Sequence, residues 1–481
     1  MRAPARGSFF RPGPVMPIVA ALFAGLAVRG FFVWHHPRFA GDTLVYGDLA
    51  HNLLAHHVYG LTEAYVRPTL IRLPGYPLFL ALCFVVFGTG NYLAVVWVQV
   101  AVDLLGCWLL ADVARRLFGQ RVGLVALWLS VLCPFTANYT AAALTETLSI
   151  SCAVLAFWGL VRWVDRLRGG GRAAGEAVWI GVAVMVAALL RPDGGLLAAA
   201  MVPAMLLAAY RERSRRRWQA VGGVVLVSAM LCAALATWAA RNWRVFHVVQ
   251  PLAPKYANDP GEDTPLGFAR WYRTWAIGYG DTVTVYWIYD GSTLKLSDLP
   301  ERAFDNARQR QQTERLFAKY NDITSATPEI DAAFAQMAAE RVGAHPLRYY
   351  VLLPVAKLGD MWLRPRTELM KLPLDWWDVR AHPRRSAFEI AYAAVNAGLL
   401  LLAVAGWKRG QRLRWNGYGE IALAVALLLL LRSALLLTID NSEPRYTLEC
   451  FPAVLLLASL ALVRNGDVVS AASPERPWTG S

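Results

Sequence analysis

Apolar residues along the chain fall in blocks of about 18–23, separated by short polar stretches, and that is the length which crosses a bilayer as helix. Ten such blocks stand out, at 15–34, 91–113, 121–138, 145–164, 174–190, 193–210, 219–240, 386–406, 417–437 and 446–463. They predict an all-α polytopic membrane protein with about ten transmembrane helices. Two further apolar stretches break the pattern. PGYPLFLALCFVVFG at 74–88 has fifteen residues, too few to span comfortably, and HPLRYYVLLPVAKLGDMWLRP at 345–365 carries Lys357 and Asp360. Both are expected to lie along the membrane surface rather than through it.

Charge orients the helices. With the N-terminus inside, four basic loops come out cytoplasmic: Arg115, Arg116 and Arg121; Arg162 to Arg172; RERSRRRW at 211–218; and WKRGQRLRW at 407–415. A crossing at 74–88 would throw these later clusters outside, so residues 35–90 form one long first outside loop. The N-terminal MRAPARGSFFRPG precedes an apolar run without an A-x-A-like cleavage site before Phe31, which predicts a retained first span.

Residues 241–385 mix both charge signs with many aromatics, a composition suited to a small extracytoplasmic region, helical over 300–343. The organisation expected is therefore a transmembrane module at 1–240, the extracytoplasmic region at 241–385, C-terminal transmembrane helices at 386–464, and a disordered tail at 465–481.

Composition removes several classes of function. The chain has 481 residues, 56% hydrophobic and 17% charged, with a net charge of +14. The basic residues sit beside the apolar blocks, so the charge reads as membrane topology, with membrane lipids rather than nucleic acid as partner. The six cysteines lie within apolar segments without CxxC spacing and read as small core residues. No P-loop, GxGxxG, HExxH or GxSxG occurs, and no Asp-x-Asp pair. His51, His56 and His57 do not share one helix face.

The segment GDTLVYGDLAHNLL follows the first span. Val45, Leu49 and Leu53, with Leu54 beside them, give it an apolar stripe suited to a helix on the bilayer surface. Asp42 opens this helix, as an N-cap or as a site carboxylate; Tyr46 lies one turn on, and Asp48 is expected to face solvent or pair with a base. Glu146 in LTETL stands at the edge of a span, where a carboxylate is costly unless it caps, pairs, binds metal or is used. Arg67 and Arg72, Arg191 in LLRPDGG, Arg241 in RNW and Arg445 in EPRYTLECFP supply positive charge outside. Each alone reads as a snorkelling arginine, while several converging would suit an anionic lipid headgroup.

Taken in order, GDTLVYGDLAHNLL, RLPGYPLFLALCFVVFG, ARRLFGQRVGLVALWLSVLCP, LTETL, LLRPDGG, RNWRVF and EPRYTLECFP give the chain its family resemblance. It resembles the GT-C membrane glycosyltransferases, bacterial relatives of the dolichyl-phosphate-mannose protein mannosyltransferases and of the lipid A aminoarabinose transferase. The resemblance implies a bundle with juxtamembrane helices in the first outside loop and a catalytic carboxylate just after the first span, which matches Asp42. Glu146 falls where the family carries an acidic residue, and Arg72 where it places a base before the proline pair. Arg445 and Tyr446 match its C-terminal Arg-Tyr motif. Implied partners are a polyprenyl-phosphate sugar donor, held by Arg72, Arg191, Arg445 and Tyr446, and a lipid, glycan or protein acceptor. Asp48, Tyr46 and Arg241 are further site candidates. The resemblance places the protein in a bacterial inner membrane, its active site facing the periplasm. No cofactor is assigned, and a divalent metal acting through Glu146 stays open. The rival reading, a transporter or flippase of lipid-linked sugars, calls for inverted repeats that the sequence lacks.

Overall fold

The computed structural model describes residues 15–212 and 216–468. The basic N-terminus, part of the cluster at 211–218 and the tail beyond 468 lie outside the described residues; 465–467 form one 3₁₀ turn. The chain divides into two compact units. The first comprises 1–260, 398–431 and 448–481, and the second 261–397 and 432–447.

The first unit runs through α1 (Val15–His35), α2 (Asp42–His56), a hairpin of β1 (Gly60–Thr62) and β2 (Val66–Pro68), α3 (Gly75–Phe87), α4 (Tyr92–Phe118), α5 (Gln120–Leu132), α6 (Pro134–Tyr139), α7 (Glu146–Arg168), α8 (Ala174–Leu190), α9 (Gly195–Arg211) and α10 (Arg216–Phe246). All ten predicted spans coincide with helices, and eight are long and apolar enough to cross a membrane by length and composition. The other two are shorter. Cys133 is extended before Pro134 and splits the span expected at 121–138 into α5 and α6, because the residue preceding a proline is driven out of the α region. The chain is an integral membrane protein. The thirteen residues of α3 make about 20 Å of helix, short of a hydrocarbon core of about 30 Å.

Small residues set how closely elements of the first loop approach the bundle. A Cβ on Gly75, at the start of α3, would stand 2.7 Å from the backbone carbonyl of Leu189 near the end of α8. A Cβ on Gly47 would collide with the Tyr92 hydroxyl. Gly75→Ala therefore destabilises the protein by about 1–3 kcal/mol, read as a lower unfolding temperature in detergent; an unchanged temperature would disprove the contact.

The face that α2 turns to the protein differs from the predicted stripe. Thr43, Tyr46, Gly47, Leu49, Ala50 and Asn52 are buried, whereas Val45, Leu53 and Leu54 are only half-buried. The reason is that the neighbours are polar and aromatic. The Thr43 hydroxyl donates to the Ala143 carbonyl (3.1 Å), Asn52 donates to the Gly60 carbonyl (2.9 Å), and the Tyr46 ring packs edge-on against Tyr76 (5.1 Å between centroids).

The second unit carries α11 (Leu266–Arg273), α12 (Tyr279–Asp281), α13 (Ala307–Asn321), α14 (Pro328–Ala344), α15 (Leu353–Leu363) and the first half of α16 (Pro383–Arg412). It has its own core of Phe268, Trp271, Tyr272, Trp275, Tyr320 and Phe334. The buried Arg341 ties that core together by donating to the Ala303 and Arg302 carbonyls and to Thr274. The remainder of α16, α17 (Gly419–Leu436, up to residue 431) and α18 (Phe451–Leu462) complete the first unit.

Candidate active site

The first loop delivers an acid and a base to one point. Gly41 takes the N-cap position of α2 with φ +60° and no side chain caps the helix, so Asp42 lies in the first turn and is not the N-cap. Its carboxylate instead accepts from the Arg72 guanidinium at 3.0 Å, with side chains 30% and 25% exposed, accessible enough to meet a ligand. Arg72 is well anchored. Tyr59 donates its hydroxyl to the Arg72 carbonyl (3.1 Å), and Leu70 and Leu73 on either side are buried with Tyr59 and Trp238.

Tyr46, one turn into α2, is buried and surrounded by site charges. Burial pushes its hydroxyl up to about 12, Asp42 and Glu146 add to the shift, and Arg72 and Arg191 oppose it. The phenol therefore stays protonated at neutral pH.

Glu146 and Arg191 form the second pair. The chain LLRPDGG breaks between α8 and α9. Pro192 holds Arg191 extended (φ −148°, ψ 143°), a 3₁₀ turn covers Pro192–Gly194, and the arginine side chain leaves the helix end. Its Nη1 donates to Glu146 Oε1 at 2.9 Å, and its Nε and Nη2 meet the two oxygens of Asp193 at 3.1 and 3.4 Å. Glu449 Oε1 stands 3.5 Å from Nε. Glu146 is buried at the first position of α7, Thr145 makes no side-chain cap, and the carboxylate is paired with Arg191.

Asp193 and Glu449 were not among the sequence candidates. Both lay within quoted motifs, Asp193 in LLRPDGG and Glu449 in EPRYTLECFP, and a carboxylate at the edge of a span is itself a signal. The other candidates make contacts elsewhere in the structure. Asp48 accepts from the backbone and hydroxyl of Thr62 (2.6 and 2.9 Å) and so fixes the hairpin. Arg241 donates to the carbonyls of Tyr59 and Thr69 (2.8 Å each) and lies against the Tyr59, Trp238 and Phe246 rings, clasping the first loop to α10. Arg445 and Tyr446 belong to the second unit, where Glu443 binds both: Arg445 Nε at 2.5 Å and the Tyr446 hydroxyl at 2.5 Å. Among the described residues no group of three His, Cys, Asp or Glu side chains is gathered closely enough to hold a metal ion. The residues around Glu146 thus do not fit a divalent metal, and no step below is routed through one.

Residues 67–238 match the model of the dolichyl-phosphate-mannose-protein mannosyltransferase family. Over 95% of this chain, the apo oligosaccharyltransferase of Archaeoglobus fulgidus is similar in structure, with a TM-score of 0.51 at 12% identity. The chain shares the fold of this archaeal enzyme. The chain spans about half the length of that archaeal enzyme, 51% of which is covered. ArnT from Cupriavidus metallidurans, solved with undecaprenyl phosphate, aligns over 92% of this chain and 76% of its own at 15% identity, with a TM-score of 0.38. No curated protein matches the sequence. The stretch that the family model covers includes Arg72, Glu146 and Arg191, and Asp42 precedes it.

Proposed function

We propose that the protein is a glycosyltransferase that moves a sugar from a polyprenyl-phosphate donor to an acceptor hydroxyl at the outer face of a bacterial inner membrane. The observation that carries this reading is the Asp42–Arg72 pair, a carboxylate and a guanidinium 3.0 Å apart and part-exposed beside Tyr46. The mannosyltransferase match over 67–238 supports the same class of donor.

Paired with Arg72, Asp42 is a weak base. A donor phosphate entering beside Arg72 takes over the guanidinium, which binds phosphate bidentately, and the carboxylate loses its counter-charge and gains basicity. Asp42 then accepts the proton of the acceptor hydroxyl as that oxygen attacks the anomeric carbon. The bond from the anomeric carbon to the phosphate oxygen breaks, its electron pair leaves with the lipid phosphate, and Arg72 stabilises the growing charge. One displacement of this kind inverts the anomeric centre. The N-terminal end of α2 favours the ionised form of Asp42 before the proton arrives. For Arg445 and Tyr446 the phosphate role rests on the family resemblance alone.

Purified protein in lipid nanodiscs, given a radiolabelled polyprenyl-phosphate sugar and cell-envelope acceptors, should release polyprenyl phosphate and a labelled product of inverted configuration. Release of a product with retained configuration contradicts the single displacement, and movement of intact donor without product favours a transporter. Arg72→Ala should raise KM for the donor about 10–100-fold, the worth of one or two charge-assisted hydrogen bonds. An equal loss for donor and acceptor counts against a phosphate contact.

A further inference from the structure

Residues 374–380 of the second unit read LDWWDVR and lead toward α16. They make an open cleft of about 500 Å³ lined by Asp375, Trp377, Asp378, Val379 and Arg380. The backbone of this loop is fixed from several sides. The Arg364 guanidinium donates to the Leu374 carbonyl (2.5 Å), and the buried Ser386 hydroxyl donates to the Asp378 carbonyl (3.0 Å). One carboxylate oxygen of Asp378 accepts from the backbone N–H groups of Arg380 and Ala381 (3.0 Å each). Other side chains on this frame are left open. Trp377 is 63% exposed, and its ring meets Trp376 edge-on at 5.9 Å between centroids. The carboxylate of Asp375 and the guanidinium of Arg380 make no hydrogen bond or ion pair among the described residues.

The volume falls in the range of about 300–1,000 Å³ typical of small-molecule sites, and the lining narrows the ligand. Two carboxylates against one guanidinium give the cleft a net negative charge, which repels a lipid phosphate or another anion, and Arg380 in turn disfavours a cation. A wholly apolar ligand would strip water from Asp375 and Arg380 without giving either a partner. A neutral sugar meets every demand. The C–H bonds on one side of a pyranose ring suit the negative face of an indole. Neighbouring sugar hydroxyls donate to the two oxygens of a carboxylate, and a guanidinium donates to a hydroxyl or ring oxygen. We propose that this cleft is a carbohydrate-binding site for the end of a neutral glycan, with Trp377 as the stacking platform, Asp375 and Arg380 as its hydrogen-bonding groups, and Asp378 holding the loop in shape. The inference goes beyond the glycosyltransferase reading and does not rest on it, since binding here uses none of Asp42, Arg72, Glu146 or Arg191.

The test is saturation-transfer NMR of the full chain in lipid nanodiscs with three neutral trisaccharides, of mannose, of glucose and of N-acetylglucosamine, with affinities taken from titration. At least one should receive saturation at its ring C–H protons. Trp377→Ala should weaken that sugar about tenfold or more, as truncation of an anchoring tryptophan does. Trp377→Leu, which keeps apolar bulk without an aromatic face, should do the same, and Trp377→Phe should retain most of the affinity. Asp375→Ala should weaken it about 10–100-fold, the worth of hydrogen bonds to a charged group. The idea is overturned if none of the three sugars binds, or if binding keeps its full strength in Trp377→Ala and Trp377→Leu. It is overturned equally if those variants remove part of the tryptophan quenching by brominated phospholipids, which would place the indole among acyl chains. Failure of sugar transfer with trisaccharide binding intact would remove the glycosyltransferase reading and leave this site standing.

Discussion

Asp42→Asn lowers the rate of sugar transfer about 10²–10⁴-fold, the usual contribution of a positioned general base, while the protein inserts, folds and binds its donor as before. The substitution preserves shape and leaves an amide oxygen facing Arg72, so the 3.0 Å contact loses its charge but not its geometry. What disappears is the ability to take a proton from the acceptor hydroxyl. The measurement is single-turnover transfer from a radiolabelled polyprenyl-phosphate sugar, with donor binding read separately. Normal turnover in the variant would remove Asp42 from the reaction.

Asp103→Leu destabilises the protein by about 3–5 kcal/mol, the cost of leaving one charge of a buried pair without its partner. Arg29 in α1 is wholly buried. Its Nε donates to Asp103 of α4 at 2.6 Å, and its Nη1 donates to the Val131 and Gly25 carbonyls at 2.7 and 3.1 Å. One guanidinium thus joins α1, α4 and the C-terminal end of α5. Replacing both charges, as Arg29→Met with Asp103→Leu, should restore much of the loss, since an apolar pair of similar volume carries no desolvation cost. Thermal unfolding followed by tryptophan fluorescence checks both variants. A single variant as stable as the wild type would show that the pair is dispensable.

How far the sequence could be read depends on the kind of signal. Helices long enough to cross a bilayer announce themselves by length and hydropathy, and all ten blocks found their helix. The break at Cys133 was visible in principle, because Pro134 follows it, but an unbroken apolar run masked it. The face of α2 that packs against the protein was not legible, for a different reason. Periodicity records which side chains are apolar, and the face that packs here is set by Thr43 and Gly47 meeting a carbonyl and a tyrosine hydroxyl. Asp42, Arg72, Glu146 and Arg191 were legible as charges at the edges of spans, and the pairing of Asp42 with Arg72 and of Glu146 with Arg191 was not, since nothing in one chain links positions 30 or 45 residues apart. Arg29 and Asp103 carried the plainest hint, a charge inside an apolar run, and the averaging over each run concealed it. The division into units was also out of reach, since residues 432–447 join 261–397 across a long gap in sequence.

The tight seat of Gly75 on the backbone at Leu189 has a kinetic corollary. Arg72 lies three residues before Gly75, and Arg191 lies two residues after Leu189, so both guanidiniums hang from a single backbone junction. Any opening of residues 35–90 that admits a lipid tail must either drag the two cations along as one body or first separate that junction. Only in the first case do the two positive charges keep a constant spacing while a lipid enters.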